Sequence, residues 1–283
     1  SKNRIDVEGE LHTNFSLSTD GEYLALVEPG GTSIATEYAP SFPPQQRGIS
    51  FGIADVYEDD VFVGQEFRYF VTPTPGSANG EGVVGFVGPV ATSVARGFYD
   101  ESFLLELQAS TAGATIYYTY DGSIPSAENA AATLYQDPIL IHRTTVFRAA
   151  AYLDEHGRSP VTTQTYVFLE DVLTQSIDRV NAANNPFSLA YPALQGVAGD
   201  YNMNQAIVAA WDDFNPENDD FGIRESLLSL PTMSIVMDHE DLWNATTGIY
   251  PNAVQRGDDW RRPGSIEYFD PADGSNFQHN VGV

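Results

Sequence analysis

The chain has 283 residues, of which 42% are hydrophobic and 12% are aromatic. This composition is sufficient for hydrophobic cores and excludes a disordered chain, and the length favours two or three domains. Thirteen basic residues against 39 acidic ones give a net charge of −26, which disfavours binding to nucleic acids and to anionic membrane surfaces. The absence of cysteine excludes disulfides, thiolate metal sites and a cysteine nucleophile.

The basic residues are almost all arginine, because Lys2 is the only lysine. A surface rich in carboxylates and poor in lysine suits salty water, where screening shortens the repulsion between like charges. The composition therefore indicates a marine or halophilic extracellular setting. No apolar run reaches the length of a membrane span, so no membrane insertion is expected.

Residues 1–80 show the alternation and the turn residues that are typical of short β-strands. Strands are predicted at 23–27, 32–38, 61–63 and 67–71. Residues 72–80 contain two prolines among small, turn-forming residues. Because proline lacks a backbone donor, this stretch cannot hold a strand ladder and is predicted to be a linker.

Residues 85–170 predict a β-sandwich, since short apolar runs recur at regular spacing between turns. Strands are predicted at 103–107, 115–120, 139–141, 144–152 and 163–168, with a turn at Asp121-Gly122. Tyr117, Tyr118 and Tyr120 lie on one of these strands. Alternate neighbours face opposite sides of a sheet, so at least some of these tyrosines belong to the core, while an exposed one could stack on a sugar ring.

Residues 171–283 predict a mixed α+β segment. Helices are predicted at 172–180, at 205–211 with Asn204 as N-cap, and at 223–228. Strands are predicted at 232–237 and 265–269, with a turn over 239–243 and a further strand beginning at 280. The fold class predicted for the chain is therefore mainly β, with tandem β-sandwich modules followed by a mixed α+β segment.

One acidic stretch, 212–220, carries side chains suited to calcium. Hard oxygen donors that could converge on the ion are Asp213, Asn215, Glu217 and Asp219. The glycine comes late and no glutamate follows at the distance of an EF-hand, so the pattern favours a solvated acidic loop, with a calcium site as the alternative. No other cofactor is predicted.

The sequence gives no catalytic signature, and no catalytic residue is predicted. Gly80-Glu-Gly-Val-Val-Gly85 has the letters of a dinucleotide motif, but a proline-rich stretch precedes it and no helix follows. No phosphate-binding loop occurs, and the five histidines lack metal-ligand spacing: His12, His142, His156, His239 and His279. The chain is expected to be without enzymatic activity as it stands.

Three segments resemble known families. Leu11–Leu26 with Tyr69–Asn79 resembles the C-terminal part of bacterial lamin-tail domains, which places a partial domain of this type at 1–80. Gly113–Pro125 with Thr144–Ala151 resembles the chitobiase C-terminal-type sandwich, which is fibronectin-III-associated, over 85–170. Leu230–Asp238 with Trp260–Glu267 is similar to the opening of the CotH kinase-like region, over 171–283.

The resemblance implies a piece of a secreted or cell-surface modular bacterial protein with a structural or adhesive role in attachment or matrix assembly. Its partners would be other extracellular or surface proteins, or polysaccharide. The alternatives are the front portion of a CotH-type protein kinase, whose catalytic residues would lie beyond Val283, and a carbohydrate-binding module of a polysaccharide-active enzyme.

Overall fold

The computed structural model describes residues 15–46, 48–176, 202–212 and 222–283. The chain divides into two compact units. Unit 1 comprises residues 1–86 and the short segment 155–157, and unit 2 comprises residues 87–154 and 158–283. Taken together, the described residues contain more strand than helix, which confirms the predicted mainly β fold class.

Unit 1 is built from paired strands: β1 (Leu24–Val27), β2 (Ile34–Tyr38), β3 (Ser50–Glu58), β4 (Val61–Phe70) and β5 (Gly85–Phe86). β1 pairs with β2 and β3 pairs with β4, both antiparallel. Asp59 and Asp60 turn the β3–β4 ribbon with φ angles of 49° and 64°, the left-handed backbone that a tight hairpin with right-handed twist requires. The two strands predicted at 61–63 and 67–71 are one strand, β4, and β3 was not predicted.

Unit 2 begins with a β-sandwich. Its strands are β6 (Val90–Thr92), β7 (Gly97–Tyr99), β8 (Phe103–Leu105), β9 (Leu107–Ala109), β10 (Thr115–Thr119), β11 (Thr133–Leu134), β12 (Ile139–Ile141), β13 (Thr145–Tyr152) and β15 (Thr162–Phe168). The two-residue strand β14 (His156–Gly157) pairs in parallel with β5 and belongs to unit 1. The predicted run 103–107 is split into β8 and β9, and the other predicted sandwich strands are confirmed within two residues.

The sandwich consists of a five-stranded sheet, here called the central sheet, facing two smaller strand pairs. The order in the central sheet is β11-β10-β13-β15-β7, with only the β15–β7 pair parallel. The pairs β6–β9 and β8–β12 lie opposite. Apolar side chains from both sides fill the space between them, among them Leu105, Ile141, Phe147 and Tyr166, each at most 2% exposed. This core follows from alternation, because every second residue of β13 and β15 points inward.

The rest of unit 2 mixes helices with a second sheet. The helices are α1 (Leu169–Leu173), α2 (Gln205–Asp212), α3 (Ile223–Leu228) and α4 (His239–Trp243), with a short 3₁₀ helix at Asp258–Trp260. Asn204 caps α2 as predicted, since its Oδ1 accepts from the amide of Ala206 at 3.1 Å. The predicted helix 172–180 lies earlier in the chain: it begins at Leu169 and ends at Leu173, with Thr174 as C-cap, and residues 177–180 lie outside the described residues. None of the helices is long and apolar enough to cross a membrane, as far as the described ranges go.

Two predictions in this part were wrong. Residues 239–243 form α4 rather than a turn, because the Asp238 carboxylate accepts from the Glu240 amide at 2.9 Å and so caps a helix. The last strand begins at Asn276 rather than at 280. The chain thus ends in an antiparallel sheet of β16 (Thr232–Met237), β17 (Pro263–Phe269) and β18 (Asn276–Gly282), here called the C-terminal sheet.

Candidate functional site

The central sheet carries a polar layer on the face that points away from its apolar core. Thr163 and Thr165 alternate along β15 with the core residues Tyr166 and Phe168, so the two threonines point to the opposite face. There they contact the C-terminal sheet. We call the residues that make these contacts the polar junction: Arg96, Thr163, Thr165, Ser234, Ser265, Glu267 and Asn280.

An ion pair lies within the polar junction. The Nε atom of Arg96 lies 3.0 Å from Oε1 of Glu267, and the side chains are 8% and 0% exposed. The amide of Thr165 donates to the same carboxylate at 3.0 Å, as does its hydroxyl. Arg96 also donates to the carbonyl of Thr163 at 3.2 Å. The carboxylate of Glu267 is therefore satisfied by one cation and two neutral donors.

Burial dominates the electrostatics of this pair. It raises the pKa of the Glu267 carboxyl, although the hydroxyl of Thr165 and the Arg96 guanidinium both act in the opposite direction. Burial also lowers the pKa of Arg96, against the attraction of Glu267. Both charged forms are thus less favourable here than in water. A pair of this kind fixes the position of one sheet on the other more than it adds stability.

Hydroxyl and amide groups continue the polar junction along the sheets. The hydroxyls of Thr163 and Ser265 lie 2.7 Å apart, and those of Thr165 and Ser234 lie 2.8 Å apart. Ser265 donates to Asn280 at 2.9 Å, and the Asn280 amide group donates to the backbone carbonyl of residue 161 at 2.9 Å. Each of these bonds joins the central sheet to the C-terminal sheet or orients a group that does. A shift of one residue would unpair them all.

A second buried cation lies on the same face of the central sheet. Arg148 is 2% exposed, and its Nη1 donates to the backbone carbonyl of Gly122. Burial, followed by the charge of Arg158, lowers the pKa of Arg148 to about 10, while Asp238 gives the strongest opposing effect. Gly122 has a φ of 80°, and a Cβ there would lie 2.4 Å from the carbonyl oxygen of Met237. The turn predicted at Asp121-Gly122 therefore packs against the backbone of β16.

The polar junction is enclosed by protein, so its groups act on one another. Glu267 is fully buried. Within the described residues, no group of three or more His, Asp or Glu side chains is arranged to hold a metal ion. The predicted calcium donors Asp213, Asn215, Glu217 and Asp219 lie outside the described residues, so that site stays a prediction.

The tyrosines that were considered for sugar stacking make contacts with other aromatic rings. Tyr118 packs against the core and stacks on Phe147 with ring centroids 5.5 Å apart, which confirms that part of this group is core. Tyr117 meets Tyr152 edge to face at 5.9 Å. Tyr120 is 40% exposed but packs against both Tyr118 and Phe147. These contacts give the three rings a structural role in the sheet.

The polar junction was not found from the sequence, although the sequence carries two signals for it. Residues 162–165 read Thr-Thr-Gln-Thr in a strand that the structure buries on both faces. A run of hydroxyl and amide side chains in such a strand indicates a second polar partner layer. The glutamate in the predicted strand 265–269 gives the matching signal, since a carboxylate between small and apolar residues needs a partner.

Comparison with known families identifies one part of the chain. A family model described as Fn3 associated matches residues 105–166. The match lies on the sandwich and confirms the predicted fibronectin-III-associated β-sandwich module at that position. No curated protein and no solved structure matches the chain. The resemblances of 1–80 to lamin-tail domains and of 171–283 to the CotH region stay predictions.

Proposed function

We propose that this chain is a non-catalytic part of a secreted or cell-surface modular bacterial protein and acts in attachment or in the assembly of extracellular matrix. In this proposal, residues 1–80 derive from a lamin-tail domain and residues 171–283 from the opening of a CotH-like region. The observation that carries the proposal is the Fn3-associated match over the sandwich. The resemblance to modular surface proteins implies that such β modules are spacers or adhesive units.

Two features of the chain, the buried contact between its sheets and its net charge, support a mechanical or adhesive role. The central sheet is covered on both faces, by an apolar core on one side and by the polar junction on the other. The ion pair of the polar junction joins the two sheets, because the buried Glu267 of β17 is bonded to Arg96 and to the amide of Thr165 on β15. A net charge of −26 also favours contacts that depend on salt or on bridging cations.

Beads coated with the full chain test this proposal. We expect them to clump, or to be retained on bacterial matrix, in seawater-like salt of about 0.5 M, where the Debye length falls to a few ångströms. Beads coated with an unrelated protein of similar size and net charge are the control. Calorimetry with ATP and magnesium on the same chain addresses the kinase alternative. Dispersed, unretained beads would contradict the proposal, as would saturable micromolar binding of ATP.

A further inference from the structure

One pair of neighbouring residues in unit 1 has a reactivity that its sequence sets. Asn79 is followed by Gly80, and no other asparagine of the chain precedes a glycine. The backbone nitrogen of the residue after an asparagine can attack Cγ of the asparagine side chain, and a glycine in that place has no Cβ to hinder the attack. Of all the asparagines, Asn79 is therefore the one whose sequence most favours loss of ammonia.

The structure leaves this pair accessible to the reaction. Residues 71–80 are all exposed, so base and water reach the side chain of Asn79. A Cβ added to Gly80 would meet no atom within 4 Å beyond the adjoining residues, and the φ of Gly80 lies outside the left-handed region. Gly80→Ala thus fits the loop without strain and changes mainly the access of the nitrogen to Cγ.

The side chain of Asn79 joins the loop 72–80 to the β3–β4 ribbon. Its Nδ2 donates to the backbone carbonyl of Ile53 on β3 at 2.8 Å, across 26 positions of sequence. Within the loop, the Thr74 hydroxyl donates to the carbonyl of Ala78 at 3.2 Å and lies 3.5 Å from Oδ1 of Asn79. The nitrogen that holds the loop on β3 is thus the same nitrogen that leaves in the reaction.

We propose that Asn79 deamidates in the folded chain and that the reaction releases the loop 72–80 from β3. The backbone nitrogen of Gly80 gives up its proton and bonds to Cγ of Asn79. The bond between Cγ and Nδ2 breaks, and Nδ2 leaves as ammonia after taking up one proton. Water then opens the cyclic imide to aspartate or isoaspartate, so the reaction needs no co-reactant other than water.

Neither product can make the bond that held the loop. A carboxylate has no donor, and in place of Nδ2 it presents an oxygen to the carbonyl oxygen of Ile53. Isoaspartate also lengthens the backbone by one carbon atom, which shifts the residues on either side. Each product adds a negative charge to a chain whose net charge is already −26.

Mass spectrometry of the full chain tests the reaction. Cleavage after Arg68 and Arg96 gives the peptide 69–96, in which Asn79 is the only asparagine and which contains no glutamine. After incubation of the folded chain at mildly alkaline pH, this peptide should show a growing fraction with a mass gain of about 1 Da. A sample digested at time zero corrects for deamidation during digestion. In Gly80→Ala the fraction should grow several-fold more slowly, and equal rates in the two chains or no mass gain in the wild type would overturn the reaction.

Limited proteolysis tests the release of the loop. Asn79→Asp carries one of the two products from the start, and a protease of broad specificity should cut it within 72–80 several-fold faster than the wild type. Gln46→Glu is the matched control, because it makes the same change from amide to carboxylate at an exposed side chain of unit 1 and should be cut at the wild-type rate. The deamidated fraction of aged wild type should be cut as fast as Asn79→Asp. Cleavage of Asn79→Asp no faster than that of Gln46→Glu would overturn the release.

Discussion

The two faces of the central sheet are buried by different chemistry. On the inner face, Phe147 and Tyr166 are fully buried in an apolar cluster. On the outer face, Thr163, Arg148 and Thr165 are equally enclosed but meet hydroxyls, a carboxylate and backbone carbonyls. An apolar contact stabilises in proportion to its area and tolerates sliding, whereas hydrogen bonds hold only at one register. The inner face therefore contributes most of the stability, and the outer face fixes the position of the C-terminal sheet on the central sheet.

The largest effect should come from opening a cavity on the inner face. Phe147 is fully buried and stacks on Tyr118, so Phe147→Ala should lower the free energy of unfolding by about 4 kcal/mol. Urea unfolding of the full chain measures this loss. Leu140→Ala on β12 is the control, since Leu140 is 57% exposed. Equal losses in the two variants would mean that the inner face is not the source of stability.

Removal of one charge from the outer face should have the next largest effect. Arg96→Met leaves the Glu267 carboxylate buried without a cation and should cost about 3 kcal/mol at neutral pH. The double variant Arg96→Met/Glu267→Leu removes both charges and should recover most of that loss. Urea unfolding of the two single variants and the double variant gives the coupling between them. A double variant as unstable as Arg96→Met would show that the pair contributes stability of its own.

The turn that meets the C-terminal sheet gives a matched comparison between two glycines. Gly122 and Gly113 both have a φ of 80°, but a Cβ on Gly113 would meet only the end of the Leu153 side chain, at 4.0 Å. Gly113→Ala should therefore lower the free energy of unfolding by about 1 to 2 kcal/mol, because alanine must adopt the left-handed backbone conformation. Gly122→Ala adds the clash with Met237 and should cost at least about 1 kcal/mol more. Thermal melts of both variants measure the difference, and equal losses would mean that the turn is free to move away from β16.

Acid should affect the polar junction in the direction set by Glu267. Burial raises the pKa of this carboxyl in the folded state above its unfolded value, so the folded state holds the proton more tightly. The contribution of this group to stability is present below the unfolded pKa and is lost as pH rises through the folded pKa. Urea unfolding of the wild type and of Glu267→Gln, measured between pH 4 and pH 7, isolates the contribution of Glu267 to the pH dependence of stability. As pH falls, the free energy of unfolding of the wild type should rise relative to that of Glu267→Gln. An opposite trend would contradict a raised pKa for Glu267 in the folded state.

The elements that the sequence predicted well are those with a local cause. The strands at 139–141 and 232–237 match the structure, and the Asn204 cap starts α2 where it was placed. These follow from alternation and from a capping side chain, which act within a few residues. The error at 239–243 was also local, since Asp238, the residue directly before the predicted turn, caps a helix there.

The polar junction could not be predicted in the same way, because its partners are far apart in sequence. Thr165 and Glu267 are 102 positions apart, and nothing near either residue shows that they meet. The sequence identifies only a buried polar strand and a carboxylate in an apolar one. Which polar residues pair with one another depends on how the C-terminal sheet packs on the central sheet, and this packing is a property of the fold as a whole.

The smallest expected effect concerns the surface rather than either face of the central sheet. With 39 acidic residues against 13 basic ones, the folded chain should be destabilised most at low ionic strength, where the Debye length is about 30 Å at 0.01 M. Raising the salt to about 0.5 M should raise the melting temperature by several degrees, an effect of about 1 kcal/mol. The same titration at about pH 4, where the carboxyl groups are partly protonated, is the control and should show a smaller rise.

Arg96→Met should respond to salt as the wild type does, because its missing charge lies in a buried pair that salt does not screen. Destabilisation by salt at neutral pH would mean that the surface carboxylates are already balanced by arginines or bound ions, and that the acidic composition is not an adaptation to salty water.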